Sequence, residues 1–195
     1  MNSYYEKVED GSETVLGESE VFELPSSWSW CRLSAFCLPQ MNRSPHGDTF
    51  EYIDIDAIDN NAHRIKERKL IASSKAPSRA QRAVTNGSTL FSMVRPYLEN
   101  IALAQPEDEA SIASTGFYVC SPINSSYSEM MYYTMLSPWM LKSIGENMRG
   151  DNSPSVRKDD MDMQYIPVAP LGEAQRIVKM LSKAMTLIEC NLIDD

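Results

Sequence analysis

The C-terminal stretch carries the longest regular apolar pattern in the chain, and this pattern limits the folds that the chain can adopt. Apolar residues between 171 and 192 recur at alternating spacings of three and four, which is the a/d spacing of a coiled-coil helix. A seam this narrow favours a helix that pairs with a partner helix; the alternative is an amphipathic helix lying on its own domain. The seam residues are Leu171, Ala174, Val178, Leu181, Met185, Ile188 and Leu192.

The segments that precede this helix are short and are separated by turn-forming residues. The alternating sequence FEYIDIDAI predicts a half-buried strand over 50–58 with Ile53, Ile55 and Ala57 on one face. Further predicted elements are an Asn86-Gly87 turn and a strand to Arg95, strands over 101–104 and 116–120, helices over 129–136 and from Ser137-Pro138 to about 150, and a polar loop over 151–160. Together they predict an α+β fold: a single globular domain of short strands and helices, followed by a C-terminal coiled-coil-type helix.

Composition divides the chain into three predicted parts. Residues 1–23 hold seven acidic residues against Lys7 and are interpreted as an acidic lead-in linker. The globular domain is expected over 24–168, where Leu24-Pro25, Trp28 and Trp30 begin it, and the assembly helix over 169–195. Neither an apolar run long enough to span a membrane nor a secretory signal is found, so we expect a cytoplasmic protein without a membrane partner.

Positive charge is concentrated in the middle of an acidic protein. The net charge is −9, yet residues 61–95 hold eight Lys/Arg against Glu67, a net +7, which leaves −16 on the remainder. A basic block of this kind is typical of a nucleic-acid-binding surface, although a solvated stretch that balances an acidic body would have the same composition.

The sequence holds no complete catalytic motif. A glycine-rich cofactor loop, a P-loop and a nucleophile elbow are all missing, and the four cysteines and two histidines lack metal-ligand spacing, so we expect no catalytic residue, metal or cofactor. One alternative stays open. Glu67-Arg68-Lys69, with Asp54, Asp56 and Asp59 upstream, resembles the end of a Mg²⁺-dependent nuclease pattern.

Two polar loops carry side chains suited to DNA. Lysine and hydroxyl groups bind phosphates, and arginine and amide groups read base edges. In residues 73–82 (SSKAPSRAQR) and the strand that follows, the candidates are Lys75, Ser78, Arg79, Arg82 and Arg95. In residues 149–158 (RGDNSPSVRK), they are Arg149, Asn152, Arg157 and Lys158. A solvated connection is the alternative for each loop.

Seven motifs follow one another along the chain: 24–33 (LPSSWSWCRL), 52–59 (YIDIDAID), 76–82 (APSRAQR), 90–102 (LFSMVRPYLENIA), 113–117 (ASTGF), the closing region with Tyr132-Tyr133, 136–138, 150–156 and 158–161, and the junction 166–178 (IPVAPLGEAQRIV). Their order resembles one target-recognition domain of a type I restriction–modification specificity subunit together with its conserved helix. The chain departs from the family pattern at Ala174, where glutamine is usual.

The resemblance implies a non-catalytic subunit that recognises one half of a split site in double-stranded DNA. Its implied partners are a methyltransferase subunit, a restriction subunit in the full complex, and a second recognition domain. The second domain would belong to the same longer subunit or come from a homodimer formed through the C-terminal helix. A third hypothesis, from another class, is a protein-interaction adaptor that uses only this helix.

Overall fold

The computed structural model describes residues 5–7, 13–15 and 22–193 of the chain. Its helices are α1 (Leu33–Phe36), α2 (Ser128–Leu136), α3 (Pro138–Gly145), α4 (Lys158–Asp162) and α5 (Leu171–Ile193). Its strands are β1 (Tyr5–Lys7), β2 (Glu13–Val15), β3 (Ser29–Arg32), β4 (Thr49–Ile53), β5 (Ile58–Asp59), β6 (Arg64–Ile65), β7 (Lys69–Ala72), β8 (Ala80–Ala83), β9 (Thr89–Ser92), β10 (Ile101–Leu103), β11 (Ile112–Ser114), β12 (Phe117–Cys120) and β13 (Tyr165–Val168). The predicted α+β class with a C-terminal helix is confirmed.

Two sheets form the centre of the domain. One has three antiparallel strands in the order β10-β9-β12, and the other has four in the order β7-β4-β11-β8, where only β4 and β11 are parallel. Short pairs complete the ladders: β1 with β2, β5 with β6, and β3 with β13. Since β13 pairs with β3, the last strand before α5 lies beside the first strand of the globular region.

The three-stranded sheet is buried on both faces because successive side chains of a strand point in opposite directions. Phe91, Ile101 and Tyr118 pack into the core that this sheet shares with helices α1 to α4. The adjacent residues Leu90 and Ala102 pack into the other core, which the sheet shares with the four-stranded sheet. The domain therefore has three layers: helices, the three-stranded sheet and the four-stranded sheet.

Methionine fills much of the helical layer. Met131, Met135, Met140 and Met161 are all fully buried there, in the same core as Phe91. Methionine is unbranched and adapts its shape, so it packs well where four short helices meet a sheet at irregular angles.

Several predicted boundaries were wrong, and local hydrogen bonds explain them. The strand predicted over 50–58 ends at Ile53, because the carboxylate of Asp54 accepts the amide of Ile55 at 2.8 Å and starts a 3₁₀ turn over Ile55–Ala57. The helix predicted to reach about 150 ends at Gly145. The predicted loop 151–160 is helical from Lys158, because the carboxylate of Asp160 accepts the amide of Arg157 at 3.0 Å.

Other local predictions hold. The hydroxyl of Ser137 accepts the amide of Met140 at 3.3 Å and caps α3, with Pro138 in its first turn. The Asn86-Gly87 turn precedes β9, and Gly87 has a φ of +79°. Cys31, Cys37 and Cys120 are free thiols, and burial raises the pKa of Cys37 to about 12. Of the predicted lead-in 1–23, residues 1–4, 8–12 and 16–21 lie outside the described part.

Gly87 provides a test of how tightly the turn packs against α2. Gly87→Ala should lower the free energy of unfolding more than Gly47→Ala does. Gly47 has a similar left-handed φ of +72°, but a Cβ added there would meet open space. Left-handed backbone costs alanine about 1–2 kcal/mol at either position. At position 87, a Cβ would also lie 2.7 Å from the hydroxyl oxygen of Ser128. Urea unfolding of both variants measures the difference, and equal losses would contradict the packing argument.

Candidate nucleic-acid interface

A chain of backbone hydrogen bonds joins the two predicted DNA-binding loops. The carbonyl of Arg79 accepts the amide of Thr115 at 2.8 Å, and the carbonyl of the next residue, Gly116, accepts the amide of Met93 at 2.8 Å. From there, the amide of Val156 donates to Met93 at 2.9 Å. The segments 73–82, 93–95, 115–116 and 149–156 are thus neighbours, and we call them the edge loops.

The second polar loop is fixed against the end of β9. The amide of Arg95 donates to the carbonyl of Pro154 at 2.7 Å, and its guanidinium donates to the carbonyl of Asn152 at 3.2 Å. Within the loop, Arg149 and Ser155 exchange two backbone hydrogen bonds of 3.0 and 2.9 Å. These bonds place Arg95, Arg149 and Asn152 close together, although 57 positions separate Arg95 from Asn152 in the sequence.

The first polar loop is exposed at its cationic positions. Lys75 ends a 3₁₀ turn over Ser73–Lys75, and Lys75, Ser78 and Arg79 are all solvent-exposed. Neither Lys75 nor Arg79 forms an ion pair within the described part of the chain. Their charges are therefore available to a ligand.

Arg82 is half-buried and Arg95 is exposed, and the protein holds both guanidinium groups in place. The guanidinium of Arg82 donates to the side-chain oxygen of Asn42 at 2.8 Å, and the backbones of these two residues also form a β-bridge. Arg95 has a left-handed backbone with a φ of +48° and is held by the carbonyl of Asn152. A guanidinium fixed in this way can present its remaining N–H groups in a defined direction.

Two predicted DNA-binding cations are engaged in ion pairs. Arg149 makes a two-pronged contact with Asp160 at 2.8 and 3.1 Å, and Lys158 pairs with Asp162 one helical turn away. Arg157 is exposed and forms no ion pair within the described residues. The predicted cluster over 149–158 is therefore less positive, as a surface, than its sequence indicates.

The basic block over 61–95 also contains cations that serve the fold. The guanidinium of Arg68 contacts the carboxylate of Asp108 at 2.7 Å, and Asp108 is only 1% exposed. The ammonium of Lys69 contacts both oxygens of Asp56 at 2.9 and 2.7 Å. Arg64 and Lys66 are exposed and outside the ion pairs of the described residues.

The same contacts remove the basis for a nuclease centre. Lys69 is neutralised by Asp56, the carboxylate of Asp54 caps a 3₁₀ turn, and the carboxylate of Asp59 accepts the amides of Asn61 and Ala62 at 3.1 Å each. These two amide hydrogen bonds hold the pKa of Asp59 below its usual range. Within the described residues, no three His, Cys, Asp or Glu side chains are grouped to hold a metal ion.

Residues 36–193 match the model of a family described as the type I restriction modification DNA specificity domain. The chain belongs to this family. Specificity domains recognise DNA and are not catalytic, so the nuclease alternative fails and the predicted non-enzymatic role is confirmed.

Solved structures agree with the family assignment. The specificity domain is 34% identical to the HsdS subunit from Thermoanaerobacter tengcongensis, with a TM-score of 0.77 over 86% of this chain and 44% of that one. A second structure is described as the structural basis underlying complex assembly and conformational transition of the type I R-M system. Its sequence identity to the specificity domain is 35%, and the TM-score is 0.79 over 87% of this chain and 45% of that one.

A more distant structure shows the fold alone. The S subunit of a type I restriction–modification system from M. genitalium is 13% identical, with a TM-score of 0.56 over 89% of this chain and 43% of that one. The specificity domain thus spans less than half the length of these structures. No curated protein sequence matches it significantly.

Helix α5 of the specificity domain is divided between two environments. Ala174 and Val178 are 1% and 9% exposed, and the hydroxyl groups of Tyr133 and Ser182 lie 3.0 Å apart, so the first half of α5 packs along α2 of its own domain. Leu181, Met185 and Ile188 are exposed. The first half of the helix thus lies on its own domain, and pairing of the exposed half with a partner helix stays a prediction. The side chain of Leu192 is outside the described part of the structure.

The structure adds two residues to the predicted site. Asn42 orients Arg82, and the amide of Arg43 donates to the carbonyl of Gln81 at 2.8 Å while its guanidinium reaches the carbonyl of Glu109 at 2.6 Å. In the sequence, these two residues are marked only by being an amide next to a cation.

Among the described helices, none combines the length and the hydropathy that a membrane span requires.

The pair between Arg149 and Asp160 should be visible in an acid titration. Burial acts to raise the pKa of Asp160, but the Arg157 amide and the Arg149 guanidinium outweigh it and lower the pKa below 3.8. A lowered pKa contributes stability above about pH 4, which is lost as the pH falls through the folded-state value. Arg149→Met should raise the Asp160 pKa, as measured by NMR of the carboxyl carbon. Lys158→Met, which removes the partner of Asp162, should leave it unchanged. Because the Arg157 amide still lowers the Asp160 pKa in Arg149→Met, only a value identical to that of the wild type would show that the pair is not formed.

Proposed function

We propose that this specificity domain binds one half of a split site in double-stranded DNA through its edge loops, and that it positions methyltransferase and restriction subunits at that site. The observation that carries the proposal is the run of hydrogen bonds from Arg79 through Gly116 and Met93 to the 149–156 loop. It brings both predicted DNA-binding loops to one edge of the two sheets. A duplex could then contact both loops at once.

The cations of this edge suit two kinds of contact. Lys75 and Arg79 are exposed and form no ion pair within the described residues. They suit contacts with phosphates, because a phosphate binds any nearby positive charge and does not require a fixed direction of approach. Arg82 and Arg95 are anchored by Asn42 and by the Asn152 carbonyl, which suits base edges, because bidentate reading requires a fixed guanidinium. Arg149 and Lys158 would have to exchange their carboxylate partners for phosphate.

The exposed half of α5 supports a role in assembly. Leu181 and Met185 are 38% and 39% exposed, Ile188 is 54% exposed, and each lies on the a/d seam. A second recognition domain, from the same subunit or from a homodimer, would cover this seam, and a methyltransferase subunit would bind the paired helices. Such a complex would act in the cytoplasm, where the DNA is. An adaptor that uses only α5 would show the same seam but would bind no DNA.

Selection of bound sequences from a pool of random duplexes tests the DNA-binding function directly. The specificity domain, assembled with its methyltransferase subunit, should enrich one short motif. In Arg79→Ala/Arg82→Ala, affinity for the selected duplex should fall by roughly 1–3 kcal/mol for each base that an arginine no longer reads. Each phosphate that is no longer neutralised should make the slope of log affinity against log salt less negative by about 0.9.

A matched variant controls for the loss of two positive charges. Arg176 and Lys179 lie exposed on α5, away from the edge loops, and Arg176→Ala/Lys179→Ala should bind the selected duplex as the wild type does. Equal effects of the two double variants would remove Arg79 and Arg82 from the interface. Failure to enrich any motif would favour the adaptor.

The assembly role of α5 is tested by charge substitutions on the seam. Met185→Glu/Ile188→Glu should weaken association with the second recognition domain by at least about ten-fold, because burying an unpaired carboxylate costs several kcal/mol. Gln175→Glu/Thr186→Glu places two carboxylates on exposed polar positions of the same helix and should leave association intact. Sedimentation velocity measures both, and an unaffected Met185→Glu/Ile188→Glu complex would show that the seam is not the interface.

A further inference from the structure

We infer that Tyr97 and Leu98 form a rigid apolar wedge that the specificity domain inserts between stacked bases of its DNA site. The inference rests on the proposed function, because it places the wedge beside the DNA-binding edge loops. It adds an activity to that function: local unstacking of the duplex, directly beside Arg95, which is one of the two arginines proposed to read bases.

The first observation is exposure. Tyr97 is 55% exposed and Leu98 is 40% exposed, whereas the adjacent Pro96 is buried. An aromatic and an aliphatic side chain are thus both exposed to solvent on the 3₁₀ turn Pro96–Leu98. Apolar side chains of this kind are the ones that proteins insert between base steps.

The second observation is the strain and rigidity of the turn. Arg95 and Glu99, which flank it on both sides, have left-handed φ values of +48° and +53°. Non-glycine residues hold this conformation only where the surrounding structure imposes it, and such strain is concentrated at functional sites. A wedge must be stiff in this way, since a flexible tip would bend aside instead of separating two stacked bases.

Hydrogen bonds from three neighbouring segments impose the conformation. The amide of Arg95 donates to Pro154 at 2.7 Å, and the amide of Ile101 donates to Glu99 at 2.8 Å. The side-chain amide of Asn60 donates to the carbonyl of Leu98 at 2.8 Å. The tip is therefore tied to the edge loop 149–156 on one side and to the β5–β6 hairpin on the other.

The third observation is the charge around the tip. Arg95 directly precedes the turn, and Arg64 and Lys66 are exposed on the segment that Asn60 connects to Leu98. Neither Arg64 nor Lys66 belongs to an ion pair of the described residues, although Asp59 lies near both. These three cations outnumber the carboxylates of Asp59 and Glu99 beside the tip. The net positive charge suits the phosphates on either side of a separated base step, whereas an apolar protein partner would leave the cations unneutralised.

Fluorescent bases placed along the duplex found by selection test the wedge. Each adenine is replaced in turn by 2-aminopurine and each cytosine by pyrrolocytosine, so that every base pair carries a probe that brightens when unstacked. A methyltransferase flips its target base out of the stack and brightens the probe at that base. The assembled wild-type complex should brighten probes at one further step. Tyr97→Ala/Leu98→Ala should abolish this rise and weaken binding roughly ten-fold or more, as the loss of a stacked aromatic does.

Control variants separate the failure of the wedge from the failure of the proposed function. Ile123→Ala removes a side chain that is 64% exposed elsewhere, and it should retain the fluorescence rise. Sequence-specific binding that brightens no probe beyond the flipped base, or a rise at the further step that persists in Tyr97→Ala/Leu98→Ala, would overturn the wedge and leave DNA recognition standing. Loss of methyltransferase binding with unchanged DNA binding would assign the tip to a protein partner and would also overturn it. If selection enriches no motif, the proposed function fails, and the wedge fails with it.

Discussion

Burial of the three-stranded sheet on both faces is the constraint on which the rest of the specificity domain depends. Alternate residues of β9, β10 and β12 fill two cores, one against the helices and one against the four-stranded sheet. Because the sheet is fixed from both sides, the loops at its end are fixed as well. Met93, which follows β9, accepts the amide of Val156 and donates to Gly116, and so ties both edge loops to the buried layer.

The edge loops combine fixed and available positive charge. Arg82 and Arg95 are held by Asn42 and by a carbonyl, while Lys75 and Arg79 extend into solvent. Other cations of the same sequence block form ion pairs with carboxylates, as Arg68 does with the buried Asp108. Net charge counted along the sequence therefore overstates the surface available to DNA, and only the structure separates the two groups of cations.

The sequence predicted the fold class and the positions of turns better than the boundaries of helices and strands. Proline, glycine and serine signals located the turn at Gly87 and the start of α3, because these effects act within a few residues. It could not show that Asp54 would end β4 by capping a turn, since an alternating pattern continued past it. Nor could it pair Arg149 with Asp160 or Asn42 with Arg82, because such contacts depend on how distant segments pack.

Hydrogen–deuterium exchange of the assembled protein, with and without its selected duplex, tests the central claim most directly. The claim is that the edge loops and the adjacent turn Pro96–Leu98 face the DNA. The segments to be measured are 73–82, 93–98 and 149–156. Amides in these three segments should exchange more slowly when the duplex is bound, while those of α2, on the opposite side of the three-stranded sheet from the four-stranded sheet, should not change. Protection confined to one of the three segments, or found instead on α2, would contradict the account.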